Sequence, residues 1–431
     1  MRRIFMAAAA VALCGWLAAP TAAQSDKVEY VPAWEYQVFV EMDAYADSVQ
    51  ALRDSVTDEI RERQEELKET EEAQEQKLLL DFSKIETPVA PEVFDAVFHF
   101  PPVAQYLTGT CWSFAGTSFL ETEAERLTGR KIKLSEMFTV YWEWVERARR
   151  FVAERGDSRV GQGSQTNAVL RVFKKYGAVP LADYSGLPDP AYERHHHGPL
   201  SQEIKDYLSL LEENDLWDED AVIAVVRLIL DKHLGRPPET VTFEGVTYTP
   251  REFVNQVLGL NGDDYATVMS TMAEPFYTRA EFKVYDNWWH DSSYYNVPLD
   301  EWYATIKKAV NNGYSVTIGG DNSEPGVNGF VDAAVIADYD IPQKYINQHS
   351  REFRLDNRTT SDDHGIHLVG YKKIGGRDWY LIKDSSSRAR YGKYKGYMFY
   401  RGDFVRLKMM TFTVHKDAME GLLEKFAGTA K

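Results

Sequence analysis

The sequence predicts an α+β protein in which a helical half comes first and a β-rich half follows, with a mostly helical insertion between them. At 431 residues the chain is longer than one typical domain. Between residues 111 and 234 apolar residues recur at helical spacing, whereas short alternating apolar runs dominate after residue 314. Helices and strands are therefore segregated along the chain, which is typical of the α+β class.

The composition is that of a globular protein that does not bind nucleic acid. Hydrophobic residues make up 44% of the chain and aromatic residues 13%, which is ample for a core. The formal net charge of −17 opposes binding to phosphate backbones, which requires clustered Lys and Arg. After the N-terminal leader, no apolar run reaches the roughly 20 residues of a membrane-spanning helix. The sequence does not predict an oligomeric state.

Residues 1–23 have the pattern of a secretory signal peptide. Two arginines precede an apolar run at residues 4–19, and small residues follow at the expected cleavage site. We therefore expect a periplasmic or secreted protein. Cys14 lies in this leader, so the mature chain keeps one thiol and forms no internal disulfide.

Residues 24–90 are predicted to form an acidic N-terminal extension. Residues 35–77 have helical composition, with one apolar stripe at positions 42, 45, 49, 52 and 56. The segment after Ile60 is densely charged. Two interpretations stay open, a solvated or flexible extension and a pro-segment that covers a cleft until it is removed.

The stretch at residues 101–121 is centred on Cys111, at the predicted start of an apolar helix. The N–H groups and partial positive charge of a helix N-terminus stabilise a thiolate, which is the nucleophilic form of cysteine. Gln105 lies six residues upstream, where its amide could stabilise an oxyanion together with the Cys111 N–H. A buried structural cysteine is the alternative interpretation.

A second stretch, residues 361–371, has a histidine at the start of an apolar strand, six residues before Gly-Tyr. With Gln-x5-Cys-Trp at residues 105–112, the chain resembles the papain superfamily of cysteine peptidases. The resemblance is closer to the bleomycin hydrolase and cysteine aminopeptidase branch and extends over about residues 91–419. It implies a papain-like two-domain fold, a cleft between the two halves and peptide substrates.

The resemblance also implies roles for three residues. Cys111 attacks the amide carbonyl, His364 holds the imidazolium and protonates the leaving amine, and Gln105 helps to stabilise the oxyanion. His367 competes with His364 for the histidine role.

Substrate binding is assigned by the same resemblance to Gln162, Gly163 and Trp112. Papain relatives carry a Gly-Gly pair at residues 162–163, where the substrate backbone pairs like an added strand. Since only Gly163 is a glycine, either the subsites on this side are altered or Gln162 tolerates the turn.

At the third catalytic position the chain departs from the family. Relatives carry Asn-Ser-Trp-Gly after the strand, whereas residues 384–387 read Asp-Ser-Ser-Ser. Asp384 is expected to accept the ring N–H of His364 and to favour the charged imidazolium. Because of this departure, the rival function is a catalytically weakened papain fold that binds peptides or a partner protein.

The predicted organisation places the helical subdomain at residues 91–190, the insertion at 191–298 and the β-rich subdomain at 299–420. Cys111 and His364 are about a hundred residues farther apart than the roughly 130–150 residues of papain-like enzymes, which favours an insertion. We predict helices at 111–127, from 135, at 204–211, 221–234 and 299–311, a two-strand unit at 240–250, and strands at 314–319, 366–372, 379–383, 397–401 and 408–414.

No cofactor and no metal are predicted. Three adjacent histidines at residues 195–197 cannot all face one ion on regular structure, so they are interpreted as a surface loop. The acidic stretch at residues 321–326 lacks a later acidic ligand and is interpreted as a turn.

The C-terminal tail, residues 421–431, is expected to decide where a peptide is cut. Relatives in the bleomycin hydrolase branch place their own C-terminus in the cleft, where its carboxylate restricts them to N-terminal residues. The resemblance therefore favours an aminopeptidase over an endopeptidase. A frayed terminus is the alternative, and the charge of Lys431 opposes capture of an amine.

Overall fold

The computed structural model describes residues 35–74, 76–189, 191 and 193–426. The predicted signal peptide and residues 427–431 of the tail lie outside this range. The chain divides between residues 76 and 77 into two units. The smaller unit contains helix α1, Gln37–Gln74, which confirms the helix predicted there. Within the described ranges, no helix is both long enough and apolar enough to cross a membrane.

The larger unit combines helices with one large sheet and one hairpin. The helices are α2 Cys111–Thr128, α3 Glu136–Ala153, α4 Ala168–Tyr176, α5 Gly198–Glu213, α6 Glu219–Leu234, α7 Pro250–Glu252, α8 Leu299–Asn311, α9 Gln348–Asp356 and α10 Gly402–Lys408. The strands are β1 Asp95–Ala96, β2 Val241–Phe243, β3 Val246–Tyr248, β4 Tyr265–Met269, β5 Arg279–Ala280, β6 Tyr294–Asn296, β7 Val316–Gly320, β8 Val327–Asn328, β9 Ala333–Ala334, β10 His364–Ile374, β11 Arg377–Lys383, β12 Tyr397–Arg401 and β13 Met409–His415. The α+β class is thus confirmed.

The ends of the first two helices of this unit follow from local chemistry. Helix α2 ends at Gly129, which adopts the left-handed φ of 73° that favours glycine. Helix α3 begins after Ser135, whose hydroxyl accepts a hydrogen bond from Phe138 N at 3.1 Å and caps the helix.

The large sheet brings the second half of the chain to the first. Its strand order is β5-β6-β4-β13-β7-β10-β11-β12-β9-β8, and β1 pairs with the far end of β10. Strand β10 runs antiparallel to β7 and β11, with His364 opposite Gly320 and Gly365 opposite Gly319. Helix α2 packs on β10, so the first residues of both elements are neighbours.

Two main hydrophobic cores hold this unit together. One lies among α2 to α6 and includes the buried side chains of Trp112, Trp144 and Leu230. The other lies among α8, α10 and the sheet, with Trp302 and Phe412 at its centre. Burying such large apolar side chains supplies most of the stabilisation available, because the described residues contain one cysteine and no disulfide.

The predicted insertion differs from expectation in its last part. Residues 191–298 contain α5, α6 and the predicted hairpin, but β4 to β6 join the edge of the main sheet through β13. All five residues of β4 are buried, so their sequence shows no alternation that would have indicated a strand. The insertion is therefore less helical than predicted.

The three histidines are also less exposed than predicted. His196 is exposed, but His197 is only 2% exposed and precedes α5. Hydrogen bonds from His197 N to Leu107 O and from Leu107 N to His195 O tie this loop to the segment before Cys111. Burial, followed by the charges of neighbouring histidines, lowers the pKa of His197 to about 3.

Candidate active site

Cys111 is the first residue of α2 and is partly exposed. The carbonyl of Thr110 accepts hydrogen bonds from Ser113 N and Phe114 N, at 2.9 and 3.3 Å, and no side chain caps the helix. The N–H groups of Cys111 and Trp112, which come before this bonded pair, have no helix carbonyl as acceptor and remain available to an anion. The helix terminus therefore presents its partial positive charge at Cys111.

His364 reaches Cys111 because Gly365 has no side chain. A Cβ atom at Gly365 would lie 2.8 Å from Thr166 Cγ2 and 3.2 Å from Trp112 Cα. Burial alone would lower the pKa of His364, but the charges of Asp384 and Cys111 outweigh it and raise this pKa well above its usual range. Close packing of β10 on α2 thus places an imidazolium beside the thiol.

Asp384 holds the other side of the imidazole ring. His364 Nε2 and Asp384 Oδ1 are 2.9 Å apart, and Ser386 N donates to the same oxygen at 2.7 Å. The side chains are 8% and 3% exposed, so the pair is shielded although the family's Trp is missing. Burial would raise the pKa of Asp384, but the charge and hydrogen bond of His364 hold it below its usual range. With Nε2 engaged, Nδ1 is the ring nitrogen left for Cys111.

Gln105 is fixed between two loops of the site. Its Nε2 donates to Thr108 O at 2.6 Å, and its Oε1 accepts from Ser385 Oγ at 2.7 Å. The backbone of Gln105 also donates to Ser385 O at 2.9 Å. An amide nitrogen carries two hydrogens, so one donor is left for a substrate oxygen. Ser385 carries no sequence signal for this role apart from following Asp384.

His367, the rival to His364, lies in the core. Its ring is fully buried, and Nδ1 is 2.9 Å from Ser118 Oγ. Burial, followed by the charges of Lys383 and His99, lowers the pKa of His367 well below its usual range. A neutral core histidine with these partners does not face Cys111.

The segment before Gly163 is tied to the nucleophile helix by Gln162. Gln162 Oε1 accepts from Gly109 N at 2.8 Å, and Gln162 O accepts from Trp112 Nε1 at 2.9 Å. Gln162 does not have a positive φ, so its backbone does not need glycine. The indole of Trp112 is only 1% exposed. The assignment of Trp112 to substrate contact is therefore corrected to support of the Gln162 segment.

The fold and these contacts lead to a comparison with known proteins. A family model described as the Peptidase C1-like family matches residues 90–422. The chain belongs to this family. The match contains the whole site, from Gln105 to Asp384, and supports a papain-superfamily cysteine peptidase.

Solved structures similar to this Peptidase C1-like chain have low sequence identity. PepW from Lactobacillus rhamnosis HN001 aligns with a TM-score of 0.60 and 19% identity, covering 79% of this chain and 85% of PepW. Bromelain from Ananas comosus aligns with a TM-score of 0.32 and 12% identity, covering 73% of this chain and 92% of bromelain. The likeness to PepW supports the fold. A comparison with curated protein sequences gives no match.

Proposed function

We propose that this chain is an exported thiol peptidase that releases residues from the free N-termini of peptides. The observation that carries the proposal is the arrangement of Cys111, His364 and Asp384. A cysteine at a helix N-terminus lies beside an imidazole whose other nitrogen is held by a buried carboxylate at 2.9 Å. Such a pair supplies a nucleophile and a proton donor at the same place.

In the proposed reaction the thiolate of Cys111 attacks the carbonyl carbon of the substrate amide. The new sulfur–carbon bond forms as the carbonyl electron pair moves to oxygen, which the Cys111 N–H and Gln105 stabilise. The carbon–nitrogen bond then breaks as His364 gives its proton to the leaving nitrogen. Water hydrolyses the thioester, with His364 taking the proton from water, and the thiolate is restored.

Two finer points of the proposal have separate support. The preference for free N-termini follows from the resemblance to the bleomycin hydrolase and cysteine aminopeptidase branch. Export follows from the leader at residues 1–23. Mass spectrometry of protein recovered from the periplasm or medium should find an N-terminus near residue 24, whereas a full-length cytoplasmic chain contradicts export.

The test of the peptidase compares Cys111→Ala with Ser209→Ala. The first substitution removes the proposed nucleophile, and the second is a control at an exposed position of α5. Hydrolysis of aminoacyl-aminomethylcoumarin substrates should be lost only in Cys111→Ala. Iodoacetamide at near-neutral pH should alkylate the Cys111 peptide in the wild type, and His364→Ala should slow this reaction.

The outcomes separate the two function classes. Loss of hydrolysis in Cys111→Ala with retention in Ser209→Ala supports the peptidase. If the wild type hydrolyses no peptide, and its Cys111 stays inert to iodoacetamide while peptides still bind, the chain is a peptide-binding papain fold instead.

A further inference from the structure

A carboxylate from the insertion covers the glycine at which papain relatives pair with a substrate backbone. A Cβ atom at Gly163 would lie 2.6 Å from Asp286 Oδ2 and 2.7 Å from Asp286 Oδ1. Asp286 belongs to the segment between β5 and β6 and is half-buried. An extended peptide therefore cannot pair with Gly163 unless this carboxylate moves.

A second carboxylate lies on the same side of the site. Asp362 precedes His364 by two residues and accepts a hydrogen bond from Gln165 Nε2, which follows Gly163 closely in the chain. Burial, followed by the charge of Asp286, raises the pKa of Asp362 to about 7. The two carboxylates are therefore close enough to interact electrostatically beside the catalytic histidine.

A buried hydroxyl points into the same space as Asp362. A Cβ atom at Gly319 would lie 3.1 Å from Thr411 Oγ1 and 3.4 Å from Asp362 Oδ1. Thr411 is only 1% exposed, and its hydroxyl has no hydrogen-bond partner among the residues that the structure describes. Gly319 pairs with Gly365, next to His364. An unsatisfied buried hydroxyl beside a carboxylate supplies an oxygen that accepts a hydrogen bond from a ligand N–H group.

Two arginines lie near Asp286, but neither of them forms a direct hydrogen bond or ion pair with it. Arg147 donates to Gly163 O and, at 3.2 Å, to Arg159 O. Burial raises the pKa of Asp286, and the charges of Arg147 and Arg159 only partly oppose this. Across the described part of the chain, Asp286 accepts no side-chain hydrogen bond and forms no ion pair within 4.0 Å. Its oxygens are thus available to a cationic donor.

We propose that Asp286 and Asp362, with Thr411, bind the free N-terminal ammonium of the substrate. The inference rests on the proposed peptidase function and names the groups that set its cleavage position. An ammonium carries three N–H donors and ends the chain where Asp286 blocks further extension. A lysine side chain at the second residue before the scissile bond offers the same chemistry. Because Asp286 covers Gly163, the N-terminal ammonium is the favoured ligand. A peptide that presents a lysine side chain here needs space for its backbone on both sides of that lysine.

The test compares substrates that differ only in the charge of the amine. In the wild type, aminoacyl and N-acetylaminoacyl coumarins should differ strongly in kcat/KM in favour of the free amine. In the isosteric double variant Asp286→Asn/Asp362→Asn, kcat/KM for the free amine should fall by about tenfold to a hundredfold, mostly through KM. Asp286→Ala should also raise kcat/KM for the acetylated substrate. Asp338→Asn removes one exposed carboxylate elsewhere on the surface, serves as the control for a lost negative charge and should change neither value.

Binding to the Cys111→Ala protein separates this inference from the peptidase proposal. Calorimetry should give tighter binding for a free dipeptide than for its acetylated form, and Asp286→Asn/Asp362→Asn should abolish the difference. Equal binding of both forms overturns the inference, whether or not the wild type hydrolyses peptides. The inference is also overturned if an acetylated peptide with Lys as the second residue before the scissile bond is cleaved as fast as the free-amine substrate. That result assigns the carboxylates to the lysine side chain. A preference that survives in the double variant but is lost when residues 427–431 are deleted overturns the inference as well.

Discussion

Replacing Asp384 by asparagine restores the residue type that relatives carry and removes one charge next to His364. The amide oxygen introduced by Asp384→Asn can still accept the ring N–H, so the change isolates the charge from the hydrogen bond. In the present chain the charge of Asp384 is among the causes that raise the pKa of His364. We therefore expect Asp384→Asn to move the alkaline limb of the pH–rate profile to lower pH.

The expected size follows from the geometry of the pair. His364 Nε2 and Asp384 Oδ1 are 2.9 Å apart, and both side chains are less than one-tenth exposed. A partner of opposite charge at such a distance shifts a pKa by about 1–3 units, or about 1.4–4 kcal/mol of differential stabilisation. The sign is fixed, because Asp384 stabilises the charged imidazolium. Its neutralisation must lower the pKa of His364 and move the alkaline limb to lower pH.

The assay records kcat/KM for an aminoacyl-aminomethylcoumarin between about pH 5 and pH 10 in both proteins, a range that brackets the ordinary pKa values of histidine and cysteine. Iodoacetamide alkylation of Cys111 across the same range reports the thiolate without turnover. Circular dichroism at each pH controls for unfolding. An alkaline limb that stays in place in Asp384→Asn refutes the assignment of Asp384 as the group that orients and charges His364.

Three further predictions follow from other contacts. Gly365→Ala should lower kcat/KM by about a hundredfold, because its new methyl group contacts Thr166 and pushes β10 from α2. Gly161→Ala, which has open space around its new methyl group, is the control. Equal activities of the two variants contradict the packing argument. KM for free-amine substrates should fall as the pH rises through about 7, where Asp362 ionises, and Asp362→Asn should remove this dependence. Burial lowers the pKa of Lys383 to about 8. Because the unfolded chain then holds this proton to higher pH than the folded protein, the free energy of unfolding should rise by about 3 kcal/mol between about pH 8 and pH 10.4. Urea unfolding of Lys383→Met should lack this rise.

The three central residues are predictable from sequence because each lies at the boundary of a periodic element. Cys111 begins α2, His364 begins β10 and Asp384 directly follows β11. Strand geometry also separates His364 from His367, since residues three apart in a strand point to opposite faces. The helix α8 prediction, residues 299–311, agrees with the structure for the same reason of clear periodicity.

The residues that the sequence did not indicate lack such a pattern. Asp286 lies in an irregular segment, and only the fold brings it to Gly163. Thr411 lies in a fully buried strand, where a hydroxyl has no periodic signal. The resemblance assigns Trp112 to substrate contact, but burial of its indole depends on how α2 packs. Contacts between segments distant in the chain are decided by tertiary packing, which single-sequence periodicity does not contain.

The position of Asp286 has a consequence for how such a peptidase changes during evolution. The groups that perform bond cleavage lie at the starts of α2 and β10 and after β11, whereas Asp286 lies in the irregular stretch between β5 and β6. Lengthening, shortening or exchanging that stretch alters which peptide ends are accepted while the thiol and imidazole stay untouched. Selectivity and chemistry are thus encoded in separable modules, and new substrate ranges are open to this scaffold through its surface loops.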